Sequence, residues 1–270
     1  KGEILSLIFF SLLFGFFLTK LDDKLSAPLK AFFESLFAIM MKITLFVIKF
    51  TPLGIFAIVA DVIAKQAGDI NTLYSIFSRM SLYMITVLSG IFIHKFITLS
   101  IVLKSFGINP IKHLKNMLSV LLTAFSTSSS NATLPLTMEA VENKSGVSNK
   151  ISSFTLPLGA TINMNGTALY ECVAVMFIAQ VYGFDLSLTQ QLTIILTAVL
   201  ASIGTAPVPG VGIVMLMIVL KSVNIPEEGI ALVLGIDRIL DMCRTVTNVT
   251  GDAVITTVIA RNEDLLEKGN

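Results

Sequence analysis

The stretch SIGTAPVPGVGIVML, residues 202–216, decides the fold of this chain. Three glycines and two prolines lie between positions 204 and 212, inside a run that is otherwise mostly apolar. Both residue types interrupt helices. Non-helical backbone at membrane depth is tolerated only where protein buries it or where it lines a water-filled cavity. The stretch therefore predicts a helical hairpin whose tip forms a binding site or a gate.

The composition supports a membrane setting for this hairpin. Hydrophobic residues make up 54% of the 270 residues and charged residues only 14%, both outside the range of soluble proteins. The formal net charge is +1, and no long basic or acidic run is present. We therefore predict an all-α polytopic membrane protein whose partner is the lipid bilayer and which does not bind nucleic acid.

The order of apolar segments predicts a repeated arrangement. A helix needs about 20 apolar residues to cross a bilayer core about 30 Å thick. The pattern predicts spanning helices in region 1–70, and then the following elements: a spanning helix at 71–105, a re-entrant hairpin at 111–142, a broken helix at 147–182, a second hairpin at 188–222 and a polar helix at 227–262. Two interrupted segments in corresponding positions are typical of transporters with inverted repeats, whose binding site lies at the repeat interface.

Basic residues predict the orientation of the two hairpins. Lysines cluster around 104–115 and 143–150, whereas the segment VYGFDLSLTQQ at 181–191 has none. Since cytoplasmic loops carry the excess of Lys and Arg, we expect the first hairpin to enter from the cytoplasm and the second from outside.

The segment GIDRILDMCRTVTNVTGD, residues 235–252, places three aspartates and two arginines in a helix expected to lie in the membrane. On a helical wheel, Asp237, Asp241, Arg244, Thr245, Asn248 and Asp252 fall in one arc of about 100°. Ionisable side chains at this depth mark substrate or ion pathways. An arginine can bind a carboxylate through two hydrogen bonds, and an aspartate can accept an ammonium group.

Four segments in order carry a resemblance to a known family. They are TSSSNATLPLTM (127–138), FTLPLGATINMNGTALY (154–170), residues 190–216 and residues 235–252. The chain resembles the dicarboxylate/amino acid:cation symporters, which move glutamate or aspartate with sodium or protons and include the excitatory amino acid transporters. The resemblance implies the second half of a scaffold and trimerisation region at 1–70 and a transport domain at 71–270. The family's first three spanning helices are absent from these residues, which predicts a longer parent protein.

The resemblance also implies an activity and a setting. It implies an elevator-type symporter of an acidic amino acid, not an enzyme, in a homotrimer at the cell membrane. No catalytic residues and no cofactors are expected; sodium ions, protons or both are the coupling ions. The implied substrate-binding residues are Ser129, Ser130, Thr167, Val208, Gly212, Asp241, Arg244, Thr245 and Asn248.

Two sodium sites are implied in the same way. The first comprises Gly159, Asn163, Asn248 and Asp252, and the second comprises Thr161, Met164, Ser202, Ile203 and Thr205. One position departs from the family motif, because Asn165 stands where an aspartate of a third sodium site is usual. This departure leaves both fewer sodium ions and proton coupling open.

Two further departures concern the gate and the arginines. Pro207 replaces a glycine and is expected to stiffen the outer gate. Some microbial members carry an arginine at the position of Ser128, and Arg238 is a candidate substitute for it. The presence of both Asp241 and Arg244 favours glutamate or aspartate over the C4-dicarboxylates that other family members carry.

Two other classes of protein are considered as alternatives. A passive ion channel shares the polar pathway but does not accumulate substrate. An intramembrane protease needs aspartates from two helices or a serine with a histidine base. Asp237 and Asp241 lie one turn apart on a single helix, which disfavours the protease.

Overall fold

A computed structural model describes residues 4–50, 53, 54, 56, 57, 60, 64, 70–203, 205 and 207–266. The α-helices among them are α1 Ile4–Leu18, α2 Asp23–Ile48, α3 Ile70–Ile93, α4 Leu99–Ser105, α5 Pro110–Asn116, α6 Leu118–Thr127, α7 Ser130–Ser145, α8 Asn149–Ile162, α9 Asn165–Val181, α10 Leu188–Ile203, α11 Val211–Ser222 and α12 Ile230–Asn262. No strand occurs in this part of the chain beyond one isolated bridge between Val147 and Leu266. The predicted all-α class is therefore confirmed for the described residues.

The chain divides into two compact units, Lys1–Asp61 and Val62–Asn270. In the first unit, the rings of Phe14 in α1 and Phe33 in α2 meet edge to face, with centroids 5.8 Å apart. Large apolar side chains such as Phe16 and Phe32 are exposed. Exposed apolar surface of this extent is typical of helices that contact lipid. The expected 1–70 region extends over positions 51–69, most of which lie outside the described residues.

The second unit is built around α12. This 33-residue helix packs against α3, α4, α6, α7, α8, α9 and α11. Its buried side chains join one apolar core with α3, α9, α10 and α11 and another with α6, α7 and α8. The polar side chains Asp237, Asp241, Arg244, Asn248 and Asp252 of α12 therefore lie buried inside the unit.

Helix caps and left-handed residues produce the two hairpins. Helix α6 ends at Ser128, whose φ is +50°, and Ser129 caps the start of α7 by accepting a hydrogen bond from the Ala132 N–H at 3.2 Å. In the second hairpin, α10 ends at Ile203 and α11 begins at Val211, after Gly210 with a φ of +76°. Thr205 and residues 207–210 thus lie in the turn between α10 and α11.

A break separates α8 from α9. Asn163 and Met164 have ψ angles of 66° and 47°, far from helical values, and they fall within the NMNGT stretch. The break leaves backbone groups without helical partners near the centre of the unit. Those groups become available to side chains from α12.

Two details of the helices were not predicted from the sequence. A π-helical turn, His94–Thr98, lies between α3 and α4 inside the predicted spanning helix 71–105, and the helix continues through it. The predicted hairpin at 111–142 begins within a separate short helix, α5, which Asn109 caps at its start and which a turn residue, Met117, separates from α6. Among the described residues, two helical stretches are long and apolar enough to span a membrane, Phe77–Ser105 and Asn149–Val181.

Candidate substrate and ion site

The guanidinium of Arg244 lies at the centre of the site. Arg244 is 1% exposed and donates to Asp237 Oδ1 and Asp241 Oδ1, both at 2.8 Å. Its Cζ atom lies 3.9 Å from the centroid of the Tyr170 ring, which adds a cation–π contact from α9. Two carboxylates and one aromatic face therefore hold this buried cation in a single orientation.

The tip of the second hairpin closes over Arg244. A Cβ atom added to Gly212 would lie 2.9 Å from both Cζ and Nη2 of Arg244. The N–H of Gly210 donates to Asp241 Oδ2 at 2.9 Å. The backbone of this tip thus approaches the charged cluster more closely than any residue with a side chain would allow.

The two hairpin tips also contact each other. The Ser129 hydroxyl donates to the carbonyl oxygen of Pro207 at 2.8 Å, across 78 positions of sequence. Ser128, Ser129 and Ser130 are all buried. The serine-rich tip and the proline-rich tip therefore meet on the same side of α12.

Asn248 joins the break in α8–α9 to the polar face of α12. Its Oδ1 accepts from the N–H of Gly166 at 2.7 Å, and its Nδ2 donates to Thr167 Oγ1 at 3.1 Å. The same Nδ2 lies 3.3 Å from Met164 Sδ. One amide side chain thus forms hydrogen bonds with a backbone N–H and a hydroxyl group that follow the break.

These contacts surround a cavity of about 10 Å³. Eight of the nine predicted substrate residues line it, and the ninth, Ser129, bonds to Pro207 in its wall. The lining consists of Ser128, Ser130, Met164, Thr167, Pro207, Val208, Val211, Gly212, Asp241, Arg244, Thr245 and Asn248. This volume is about that of one water molecule, so the hairpin tips and α12 pack closely around it.

The first predicted sodium group is partly assembled beside this cavity. Asn163 Nδ2 donates to Asp252 Oδ1 at 2.8 Å, and a Cβ on Gly159 would lie 2.8 Å from the same oxygen. Asp252 is buried, and Asn248 lies one turn before it on α12. Carboxylate and amide oxygens are hard ligands of the kind that suit small cations.

Asn165 lies next to this group. Its Oδ1 accepts from the N–H of Gly166 at 2.8 Å, and a Cβ on Gly251 would lie 2.7 Å from its Nδ2 and from Asn163 Nδ2. The side chain therefore packs between the break and α12, where it offers an amide oxygen without a full charge.

The second predicted sodium group is less compact. Met164 is buried beside Asn248, whereas Thr161 lies at the exposed surface, where its hydroxyl donates to the Leu158 carbonyl at 2.8 Å. Ser202 and Thr205 are buried, and their hydroxyls donate to the carbonyls of Val199 and Ala201. Ile203 is half-buried at the end of α10. The hydroxyl oxygens of Thr161, Ser202 and Thr205 and the carbonyl oxygens of Ser202, Ile203 and Thr205 are the oxygen atoms that this group offers to a cation.

Sequence reasoning missed several residues of the site. Asp237 was placed on the polar face but given no role, although it bonds to Arg244, and Tyr170 was not considered. Glu171 is fully buried, and neither carboxylate oxygen has a hydrogen-bond partner within the described part of the chain. A lone acid inside an apolar helix is a recognised sign of function, so Glu171 could have been found from the sequence.

Comparison with known proteins agrees with this geometry. The profile of the sodium:dicarboxylate symporter family matches residues 1–262. This chain belongs to that family. The resemblance inferred from the four sequence segments is thereby confirmed.

Curated relatives of this symporter-family chain are named as transporters. It is 43% identical to excitatory amino acid transporter 3 of Mus musculus over 263 residues, which cover 96% of the chain and 49% of the relative. It is 42% identical to the putative sodium-dependent excitatory amino acid transporter glt-4 of Caenorhabditis elegans, covering 99% and 53%. It is 40% identical to human excitatory amino acid transporter 1, covering 93% and 45%. The chain spans about half the length of these relatives, whose names indicate transporters rather than enzymes.

Proposed function

We propose that the protein is a secondary active symporter that couples uptake of an acidic amino acid, L-glutamate or L-aspartate, to inward flow of sodium ions, protons or both. The observation that carries this proposal is the buried Arg244, held by Asp237 and Asp241 beneath two hairpin tips. The family assignment and the names of the relatives support the same activity.

Charge complementarity supports an acidic amino acid as the substrate. Arg244 presents a guanidinium that can bind a side-chain carboxylate through paired hydrogen bonds. Asp241 offers a carboxylate to the ammonium group, and Thr245 and Asn248 lie on the same face. Backbone N–H groups near Ser129, Ser130, Val208 and Gly212 would bind the α-carboxylate.

Sodium coupling is supported by the oxygen-rich group beside the cavity. Asp252, Asn163 and Gly159 lie within one cluster, and Asn248, one turn before Asp252 on α12, lines the substrate cavity. The second proposed site uses Met164, Thr161 and the backbone carbonyls of Ser202, Ile203 and Thr205. Asn165 supplies no negative charge, so proton coupling remains part of the proposal.

The architecture proposed for the whole protein follows from the same family. The hairpins α6–α7 and α10–α11 would be re-entrant and related by inverted repeats. Residues 71–270 would form a transport domain that moves across the plasma membrane in an elevator-like step. Residues 1–70 would belong to the scaffold of a multi-pass homotrimer.

Substrate counterflow tests the proposal. Proteoliposomes of the full-length protein are loaded with unlabelled L-aspartate, L-glutamate or succinate, and entry of labelled L-aspartate is measured. We expect aspartate and glutamate to drive entry and succinate to drive little. Succinate-driven entry of labelled succinate without amino acid exchange would instead identify a dicarboxylate carrier. The variant R244Q should abolish entry, whereas R261Q, which removes an arginine at the end of α12, should not.

A further inference from the structure

The charged cluster contains a second arginine that the proposed function does not use. Arg238 Nη1 lies 3.7 Å from Asp241 Oδ2, and the Arg238 side chain is 49% exposed. The same Oδ2 accepts the Gly210 N–H, while Oδ1 accepts from Arg244. Asp241 therefore interacts with two guanidinium groups and with the tip of the second hairpin.

The charges of this cluster balance only if Arg238 is counted. Arg244 carries one positive charge and bonds to two carboxylates, Asp237 and Asp241. Arg238 supplies the second positive charge, directed at the carboxylate that faces the hairpin tip. Without Arg238, the buried part of the cluster carries a net charge of −1.

A positive charge at this position acts differently on the two groups of a substrate. An ammonium group that approaches Asp241 is repelled by Arg238, whereas a carboxylate in the cavity is attracted by it. We propose that Arg238 is a specificity-determining residue that weakens the preference of Asp241 for an ammonium group and improves acceptance of dicarboxylates lacking one. This inference rests on the proposed function, because it takes Asp241 as the group that meets the substrate amine.

Competition kinetics on the full-length protein in proteoliposomes test this role. The quantity measured is the inhibition constant of succinate divided by the KM for L-aspartate. We expect this ratio to rise about three- to fivefold in R238Q and R238A, a modest change because the guanidinium is half exposed. R238K keeps the charge and should stay within twofold of the wild type, as should R261Q, which removes an arginine elsewhere on α12.

The outcomes separate this inference from the proposed function. A wild-type protein that neither transports nor binds L-aspartate contradicts the proposed function. Aspartate transport with an unchanged or lower ratio in both R238Q and R238A overturns the role of Arg238 alone. A raised ratio in R238K as well would show that the shape of the side chain, rather than its charge, sets selectivity, and this too would overturn the inference.

Discussion

At the residue scale, the site depends on how closely backbone approaches Arg244. The guanidinium is buried and bonded to two aspartates, so it has little freedom to move aside. Gly212 lies directly against it, and position 212 therefore requires the absence of a side chain. The glycine serves close packing here, because its φ is not in the left-handed region.

The variant G212A tests this close approach. Its Cβ would lie 2.9 Å from Arg244 Cζ, so the tip or the guanidinium must shift, and overpacking of this kind costs about 1–3 kcal/mol. We expect the apparent affinity for L-aspartate to fall about tenfold, which is measured as a tenfold rise in the KM for uptake. G15A is the control, since a Cβ on Gly15 has nothing within 4 Å. A KM within twofold of the wild type for G212A would contradict the proposed packing role.

Asp252 gives a second prediction at this scale. Its carboxylate is buried against Asn163 and Gly159, and the variant D252N keeps its size but removes the charge that a cation needs. We expect the sodium concentration for half-maximal uptake to rise roughly tenfold or more, because cation affinity follows ligand charge. The matched control D185N changes an exposed aspartate and should leave that concentration unchanged. Equal sodium dependence in both variants would show that Asp252 is not a ligand.

The polar arc of α12 shows how far residue-level prediction reaches. The helical wheel places Asp237, Asp241 and Arg244 on one face, and the structure shows all three hydrogen-bonded. The wheel could not indicate that Tyr170 lies under the guanidinium or that Gly210 donates to Asp241, because these contacts depend on how separate helices pack.

At the element scale, the two hairpins are held by caps and by a hydrogen bond between their tips. Ser129 takes part in both. Its hydroxyl oxygen accepts from the Ala132 N–H, which caps α7, and its hydroxyl group donates to the carbonyl oxygen of Pro207. Ser148 caps α8 in a similar way, through the Lys150 N–H at 3.3 Å, but lies at the start of a different helix. The pair therefore separates the effect of a lost cap from the effect of a lost tip contact.

S129A and S148A test the tip contact. Loss of an N-cap costs about 1 kcal/mol, so both variants should lower the melting temperature, and S129A, which also loses the hydrogen bond to Pro207, should lower it at least as much as S148A. Only S129A should let the second tip open more often. We expect a cysteine introduced at position 211, with Cys172 and Cys243 replaced by alanine, to react with maleimide severalfold faster in S129A. Equal labelling rates in the two variants would mean that the tip contact does not hold the gate.

Sequence patterns predicted the helices better than the connections and contacts between them. The lengths of the apolar segments and the positions of glycine and proline predicted the helices before and after residues 163–164. They also predicted the helices before and after the turn between α10 and α11. The π-helical turn at His94–Thr98 had no sequence signal, because it depends on one extra residue in a continuous helix. The contact between Ser129 and Pro207 spans 78 positions and follows only from the packed unit.

At the scale of the whole molecule, the family predicted from the sequence is confirmed, and the all-α class is confirmed for the described residues. The long polar helix α12 explains why such a prediction is possible. Charged side chains are costly in a membrane, so a helix that carries them must be enclosed by other helices. Helix α12 is enclosed in this way. The proposed elevator-like step depends on the relative energies of several packed states, and the apolar pattern of a sequence carries no signal for those energies.

The central claim is that this protein uses an ion gradient to concentrate an acidic amino acid. The most direct measurement is the ratio of internal to external L-aspartate in proteoliposomes of the full-length protein, with an inward sodium gradient and then with an inward proton gradient. We predict accumulation above the external concentration with the sodium gradient, and its collapse when a sodium ionophore is added. Entry that stops at equal concentrations under both gradients would rule out ion-coupled uptake and would indicate passive transport, as through a channel.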